Sequence, residues 1–252
     1  MLAWLTGQGS TPAQASTPTI VEEWPRLRIL VLGDSGVGKS CLVERLVSGK
    51  PPSSTPRWTL GCDVSVMVHT LAGHTERKVL VEFWDVGGHR NYADSRGVFY
   101  HQINGVFLVH DSSNRKSFNH LKSWLEELEK EDQSRRARGL AGIEEPRFGV
   151  MGGKNREISE GMGVYSMANP PQHQHYRKAA SVSNSGPLDG LPILIVGNKS
   201  DSGRIPAIPP KMWTFDSVLT SATAPSRDGR AIIDQDKFTA FFEKVYERRY
   251  GS

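Results

Sequence analysis

The run Gly33-Asp34-Ser35-Gly36-Val37-Gly38-Lys39-Ser40 fits G-x-x-x-x-G-K-[ST], a loop whose backbone N–H groups curl round phosphate oxygens. It constrains the fold as well as the chemistry, because it needs a strand before it and a helix after it. Both are legible. Ile29-Leu30-Val31-Leu32 is an unbroken apolar run, as in a strand buried on both faces. Cys41-Leu42-Val43-Glu44-Arg45-Leu46-Val47 carries apolar residues at helical spacing. The glycines let the backbone close round an anion, and the helix N-terminus adds a favourable dipole. In such a loop Lys39 reaches the outer phosphates and the Ser40 hydroxyl ligates Mg²⁺.

The rest of the chain reads as strands alternating with helices. Val64, Val66 and Val68 alternate with Asp63, Ser65 and Met67, a half-exposed strand for a sheet edge. Val79 to Asp85 is a second strand, close enough to pair with the first as an antiparallel hairpin. Gly105 to Val109 and Leu191 to Gly197 are buried strands, and Val218 to Ala222 a last one. Asn114 to about Lys130 is helical, with Phe118, Leu121, Leu125 and Leu128 on one face. Phe238, Phe241, Phe242, Val245 and Tyr246 mark a final amphipathic helix. This pattern predicts an α/β fold: a mostly parallel, doubly wound sheet with one antiparallel edge strand, ligands binding at the carboxyl ends of its strands.

Mean hydropathy of −0.42 and 37% hydrophobic residues lie on the polar side for a compact domain, so part of the chain is expected to be disordered. Two stretches account for it. Residues 1–25 read as a flexible arm, the first twenty without a charged side chain. From about 133 to 190 neither period is visible, and Gly, Ser, Asn, Gln and Pro dominate, so a disordered insertion is expected. His173 and His175 lie in it and read as solvated polar residues rather than metal ligands. Pro206, Pro209 and Pro210 make a helix hard to sustain after Asp201. The domain itself is then 26–250.

A net charge of +4 with dispersed charges gives no reason to expect a nucleic-acid partner. Two cysteines, Cys41 and Cys62, imply a reducing compartment, cytoplasmic or nuclear. No run approaches transmembrane length, and no lipidation motif is found at either end.

Four further stretches join the loop, each at a strand end. Thr59, nineteen positions after Ser40, has a hydroxyl suited to Mg²⁺ and to sensing a γ-phosphate. Asp85-Val86-Gly87-Gly88 fits D-x-x-G, with Asp85 toward Mg²⁺ and the Gly88 N–H toward the γ-phosphate. Asn198-Lys199-Ser200-Asp201 fits N-K-x-D. Its Asp201 carboxylate suits the donor pair of guanine, which adenine lacks, while the Lys199 stem would cover the base. Ser221-Ala222 would offer a backbone N–H to guanine O6. The candidate nucleotide set is therefore Gly33, Asp34, Ser35, Gly36, Val37, Gly38, Lys39, Ser40, Cys41, Thr59, Asp85, Gly88, Asn198, Lys199, Asp201, Ser221 and Ala222. The candidate metal set is Ser40, Thr59 and Asp85.

With these motifs the chain resembles the Ras-superfamily small GTPases, and within them the Rab-like branch. Thr59-Leu60-Gly61-Cys62, Trp84-Asp85-Val86-Gly87-Gly88-His89, Phe99 to Val106 and Val109-His110-Asp111 carry the likeness. It covers about 26–132 and 190–250. The resemblance implies a phosphate-loop G-domain, a GTP/GDP switch with Mg²⁺, slow hydrolysis, and effector and regulator proteins as partners; it leaves a homodimer open. Three departures matter. His89 stands where Ras and Rab proteins carry the glutamine that orients the attacking water, so His89 and Lys39 are the catalytic candidates. Residues 50–57 hold no aromatic ring to clamp a base, which implies weaker nucleotide binding. The usual Rab lipid anchor is not found. The alternative is a GTP-stabilised interaction module with little or no hydrolysis. A phosphate-loop kinase using ATP is opposed by the N-K-x-D match.

Overall fold

The structure is a computed structural model and describes residues 24–52, 57–72, 77–144, 188, 190–202, 215–223 and 233–251. In chain order they form β1 (Arg26–Leu32), α1 (Lys39–Ser48), β2 (Cys62–Thr70), β3 (Lys78–Val86), α2 (Ala93–Arg96), β4 (Gly105–Asp111), α3 (Arg115–Asn119), α4 (Leu121–Ala137), β5 (Ile193–Asn198), β6 (Asp216–Leu219) and α5 (Gln235–Tyr250). The strands build one sheet in the order β2-β3-β1-β4-β5-β6. β2 and β3 pair antiparallel and every other neighbour is parallel, as the alternating pattern predicts.

The unbroken apolar strands are buried because helices cover both faces. Leu27, Ile29 and Val31 join Phe83, Phe107 and Val196 on one face, under Leu42 and Val43 of α1 and Phe238, Phe241 and Phe242 of α5. Leu30 and Leu32 join Val106, Leu108 and Ile195 on the other, under Leu121, Trp124 and Leu128 of α4. At the edge, β2 alternates as expected, but its valines face outward. Met67 packs against the first core and the His69 ring meets Phe242 edge-on.

Some boundaries differ from the sequence expectation. The single helix expected from Asn114 to about Lys130 is two, α3 and α4, meeting at His120, and α4 runs to Ala137, past the point taken as the start of the insertion. Apolar spacing ends at Leu128, but a buried carboxylate continues the anchoring. Asp132 accepts from Arg136 Nε at 2.7 Å and from the Ile143 N–H at 2.9 Å. The chain then returns beside β4: the Ile143 carbonyl accepts from the Ile103 N–H, and Glu144 pairs with Arg248 of α5 at 2.6 Å. The last strand ends at Leu219 rather than Ala222, because Ser221 and Ala222 turn toward 198–201. Residues 90–99, without apolar period, form short helical turns around α2. The expectations for residues 1–23, residues 145–187 with His173 and His175, and the Pro206–Pro210 stretch lie outside the described residues. Among those described, no helix is long and apolar enough to cross a membrane.

Candidate functional site

The phosphate loop, Thr59, the D-x-x-G run and the start of the N-K-x-D run converge at the carboxyl ends of β1, β3 and β5 on a cleft of about 960 Å³, while Asp201, Ser221 and Ala222 lie outside its lining. Ser35, Gly36, Gly38, Lys39, Ser40, Cys41, Thr59, Asp85, Gly88, His89, Asn198 and Lys199 all line it.

The phosphate loop has the backbone the motif requires. Gly36 and Gly38 adopt φ of 81° and 90°, the left-handed region that costs a side chain. A Cβ on Gly38 would also collide with Asn198 Nδ2. α1 starts at Lys39 with no side-chain cap and no acidic residue in its first turn, so its first N–H groups are left to an anion. Lys39 is 6% exposed. Its Nζ donates to the Gly33 and Asp34 carbonyls at 2.9 and 3.1 Å. Burial pulls its pKa down, although Asp85 and Asp34 oppose the shift.

The three candidate metal ligands are drawn together. Ser40 Oγ donates to Asp85 Oδ2 at 2.5 Å, Thr59 Oγ1 donates to the same oxygen at 3.2 Å, and the two hydroxyls lie 3.0 Å apart. Gly87 packs against the backbone segment that carries Thr59. Its N–H donates to the Gly61 carbonyl at 2.8 Å, and a Cβ on it would come within 2.6 Å of the Thr59 carbonyl oxygen. Asp85 is 3% exposed, its Oδ1 has no hydrogen-bond partner, and burial raises its pKa. The site therefore holds a desolvated ammonium beside a desolvated carboxylate with a spare oxygen. An anion would relieve the first and a cation the second. The donors are all oxygen, the chemistry Mg²⁺ prefers when phosphate and water complete its shell.

Gly88 leans on the phosphate loop. A Cβ there would overlap the Gly33 carbonyl oxygen and approach Lys39 Nζ to 2.7 Å. His89 beyond it is exposed. Its Nδ1 accepts from the Asn91 N–H at 3.3 Å, and its ring lies 6.4 Å from that of Trp58 and 5.9 Å from that of Tyr92. A neutral imidazole accepting at Nδ1 carries its proton on Nε2, so the nitrogen left free is a donor. Trp58 is 82% exposed, and its ring stands beside His89.

Asn198 stitches three loops together. Its Nδ2 donates to the Val37 and Gly38 carbonyls at 3.0 and 3.2 Å, and its Oδ1 accepts from the Ala222 N–H at 3.1 Å. Lys199 takes φ of 60°, rare for a side-chain residue. Its Nζ donates to the Gly36 carbonyl at 2.7 Å and pairs with Asp111 at 2.8 Å. Burial pushes Asp111 up, but the Lys199 and Ser113 donors prevail and hold it below the ordinary carboxylate range. Asp201 is exposed and accepts a short hydrogen bond from Ser221 Oγ.

Two expectations need adjustment. The Asp34 side chain turns away from the cleft, where His120 Nδ1 at 2.5 Å and Trp124 Nε1 at 3.0 Å hold its carboxylate. Val37 is buried in the core. Asp111 was missed; its place at the carboxyl end of a parallel strand was the available signal.

Residues 28–139 match the family described as Roc, Ras of Complex, domain of DAPkinase. The chain is 47% identical over 243 residues to Rab-like protein 3 of Danio rerio, covering 89% of this chain and 87% of that protein. It is 45% identical over 113 residues to the small GTPase-like protein LIP2 of Arabidopsis thaliana, and 45% identical over 113 residues to human Rab-like protein 3. Those two matches span 41% and 42% of this chain and only 34% and 48% of the relatives. With the phosphate loop, its oxygen cluster and the N-K-x-D strand end on one cleft, the chain belongs to the small GTPases, in the Rab-like group.

Proposed function

We propose that this chain is a GTP/GDP switch that binds its nucleotide with Mg²⁺ and hydrolyses GTP slowly. One observation carries the reading: Ser40, Thr59 and Asp85 meet within hydrogen-bond distance beside Lys39, and Asp85 keeps a buried oxygen unpartnered.

In this reading the Gly33–Ser40 backbone and the α1 N-terminus bind the phosphates, and Lys39 neutralises the outer two. Ser40, Thr59 and Asp85 would hold Mg²⁺, which when bound supplies charge neutralisation at the transferring phosphoryl group. Thr59 and the Gly88 N–H would sense the γ-phosphate and order the loops that carry them. Asp201 would accept from guanine while Ser221 steadies it. His89, with its free nitrogen a donor, would orient or polarise water by donation rather than take its proton. Effector and regulator proteins would read the two loops.

Single-turnover GTP hydrolysis tests the reading, with released nucleotide identified. Lys39→Ala should abolish nucleotide binding, and Asp201→Asn should shift preference from guanine to xanthine nucleotides. Turnover that falls in His89→Ala supports the switch. GTP bound and left intact by the wild type supports instead an interaction module that uses the nucleotide to hold its shape.

A further inference from the structure

Beyond the motifs lies a buried charge cluster that no nucleotide-binding role explains. Arg96, in α2, is 6% exposed although it carries a permanent charge. Its Nε and Nη2 grip both oxygens of Glu127 at 2.6 and 2.5 Å. Tyr100 donates its hydroxyl to the same carboxylate at 2.7 Å. Burial, and then Glu127, push the Tyr100 pKa up, so the phenol remains a donor. The guanidinium lies 3.9 Å over the Trp124 ring. Its remaining arm, Nη1, donates to the His89 carbonyl at 3.3 Å.

Glu127 and Trp124 both belong to α4, and α4 is tied to the phosphate loop. The Trp124 indole N–H and His120 both hold the Asp34 carboxylate, and Arg90 Nη2 lies 3.4 Å from the other His120 ring nitrogen. A continuous path therefore runs from Asp34 to Trp124, to Arg96, to the backbone of His89. Arginine suits the post, because one rigid planar fork can meet a carboxylate with two arms and a carbonyl with a third.

We propose that Arg96 is the positioning residue for His89: it indexes the His89 backbone to the phosphate loop through Trp124 and Asp34. The exposed imidazole has one weak hydrogen bond of its own, so its distance from the phosphates is set by the backbone beneath it. The inference rests on the reading of His89 as the residue that handles the attacking water.

The test is a double-mutant cycle in single-turnover GTP hydrolysis, combining Arg96→Met with His89→Ala. Arg96→Met should slow hydrolysis by about tenfold or more, since a displacement of about 1 Å at a reacting group costs up to roughly a hundredfold. GTP affinity should change less than about twofold. In the His89→Ala background Arg96→Met should have no further effect, because the residue it positions is gone. Arg96→Lys, which keeps the charge and loses the fork, should behave like Arg96→Met. Arg96→Met with Glu127→Gln removes the buried guanidinium and its half-buried carboxylate partner together, a soundly folded form should Arg96→Met alone unfold. Amide exchange at residues 88–92 should quicken in these variants, with residues 36–42 unchanged. Equal slowing with and without His89, or unaltered exchange at 88–92, overturns the proposal while leaving the switch reading intact. Wild-type rates in His89→Ala overturn the reading of His89, and the proposal with it.

Discussion

His110 is buried at the end of β4 with its ring edge-on to Phe118, and neither ring nitrogen has a partner. Burial lowers its pKa, with Asp111 opposing. A folded-state pKa below the unfolded value means that both states are neutral at high pH. As pH falls below about 6.5, the unfolded chain takes up a proton that the fold refuses, and stability is lost. His69, packed on Phe242 and also shifted down by burial, adds to the same slope. His110→Phe should therefore flatten the fall in melting temperature between about pH 7 and pH 5. It should also gain about 1–3 kcal/mol by removing an unsatisfied polar ring, measured by urea unfolding. An unchanged pH slope would assign the acid sensitivity elsewhere. Gly88→Ala makes a second test at this scale. Its Cβ has no room between the Gly33 carbonyl and Lys39 Nζ. Affinity for a non-hydrolysable GTP analogue should drop by about tenfold or more, a shift that fluorescence titration reads directly.

Between elements, the load falls on side chains that join loops from different strands. Asn198→Ala would strand the Val37 carbonyl and the Ala222 N–H, and leave the Gly38 carbonyl with the Leu42 N–H alone, in a site where Asn198 is 1% exposed. With net hydrogen bonds near 1 kcal/mol and unmet buried groups costing about 1–3 kcal/mol each, the loss should be about 2–4 kcal/mol. Chemical denaturation checks it. The phosphate loop, Thr59, Asp85 and the N-K-x-D run were legible in sequence, because binding chemistry fixes residue types at short spacings. The flanking strands were legible because parallel pairing on a two-sided sheet demands unbroken apolar runs. Arg96, Tyr100, Trp124 and Glu127 were not. Arg96 and Tyr100 lie in or just after a stretch without apolar period, Trp124 and Glu127 read as ordinary helix residues, and the partnership joins segments that no local spacing connects. The extension of α4 escaped notice for a related reason: Asp132 anchors it with a buried carboxylate, where periodicity looks for a leucine.

Across the whole molecule, the described chain on either side of residues 145–187 is pinned to α5. Glu144 pairs with Arg248, and Gly190, at φ of 74°, packs so closely on Arg248 Nη1 that a Cβ would come within 2.6 Å. Ile143 below them is fully buried. Replacing 146–187 with a short Gly/Ser linker should leave nucleotide affinity unchanged and the melting temperature within a few degrees, as scanning calorimetry and titration would show, since shortening a loop changes closure entropy only logarithmically. A large loss of stability would mean that the excised residues brace the domain.

The neck at Arg248 sits beside Ile103 and Leu191, at the start of β4 and β5, whereas the cleft opens where those strands finish. A strand of this length separates the two poles by roughly 20 Å. A partner bound at the neck itself, on Glu144 and Arg248, would stand clear of both the cleft and its loops. It would hold the GTPase at a high local concentration without sensing its state. Address and message would then be written at opposite ends of one sheet, free to vary independently.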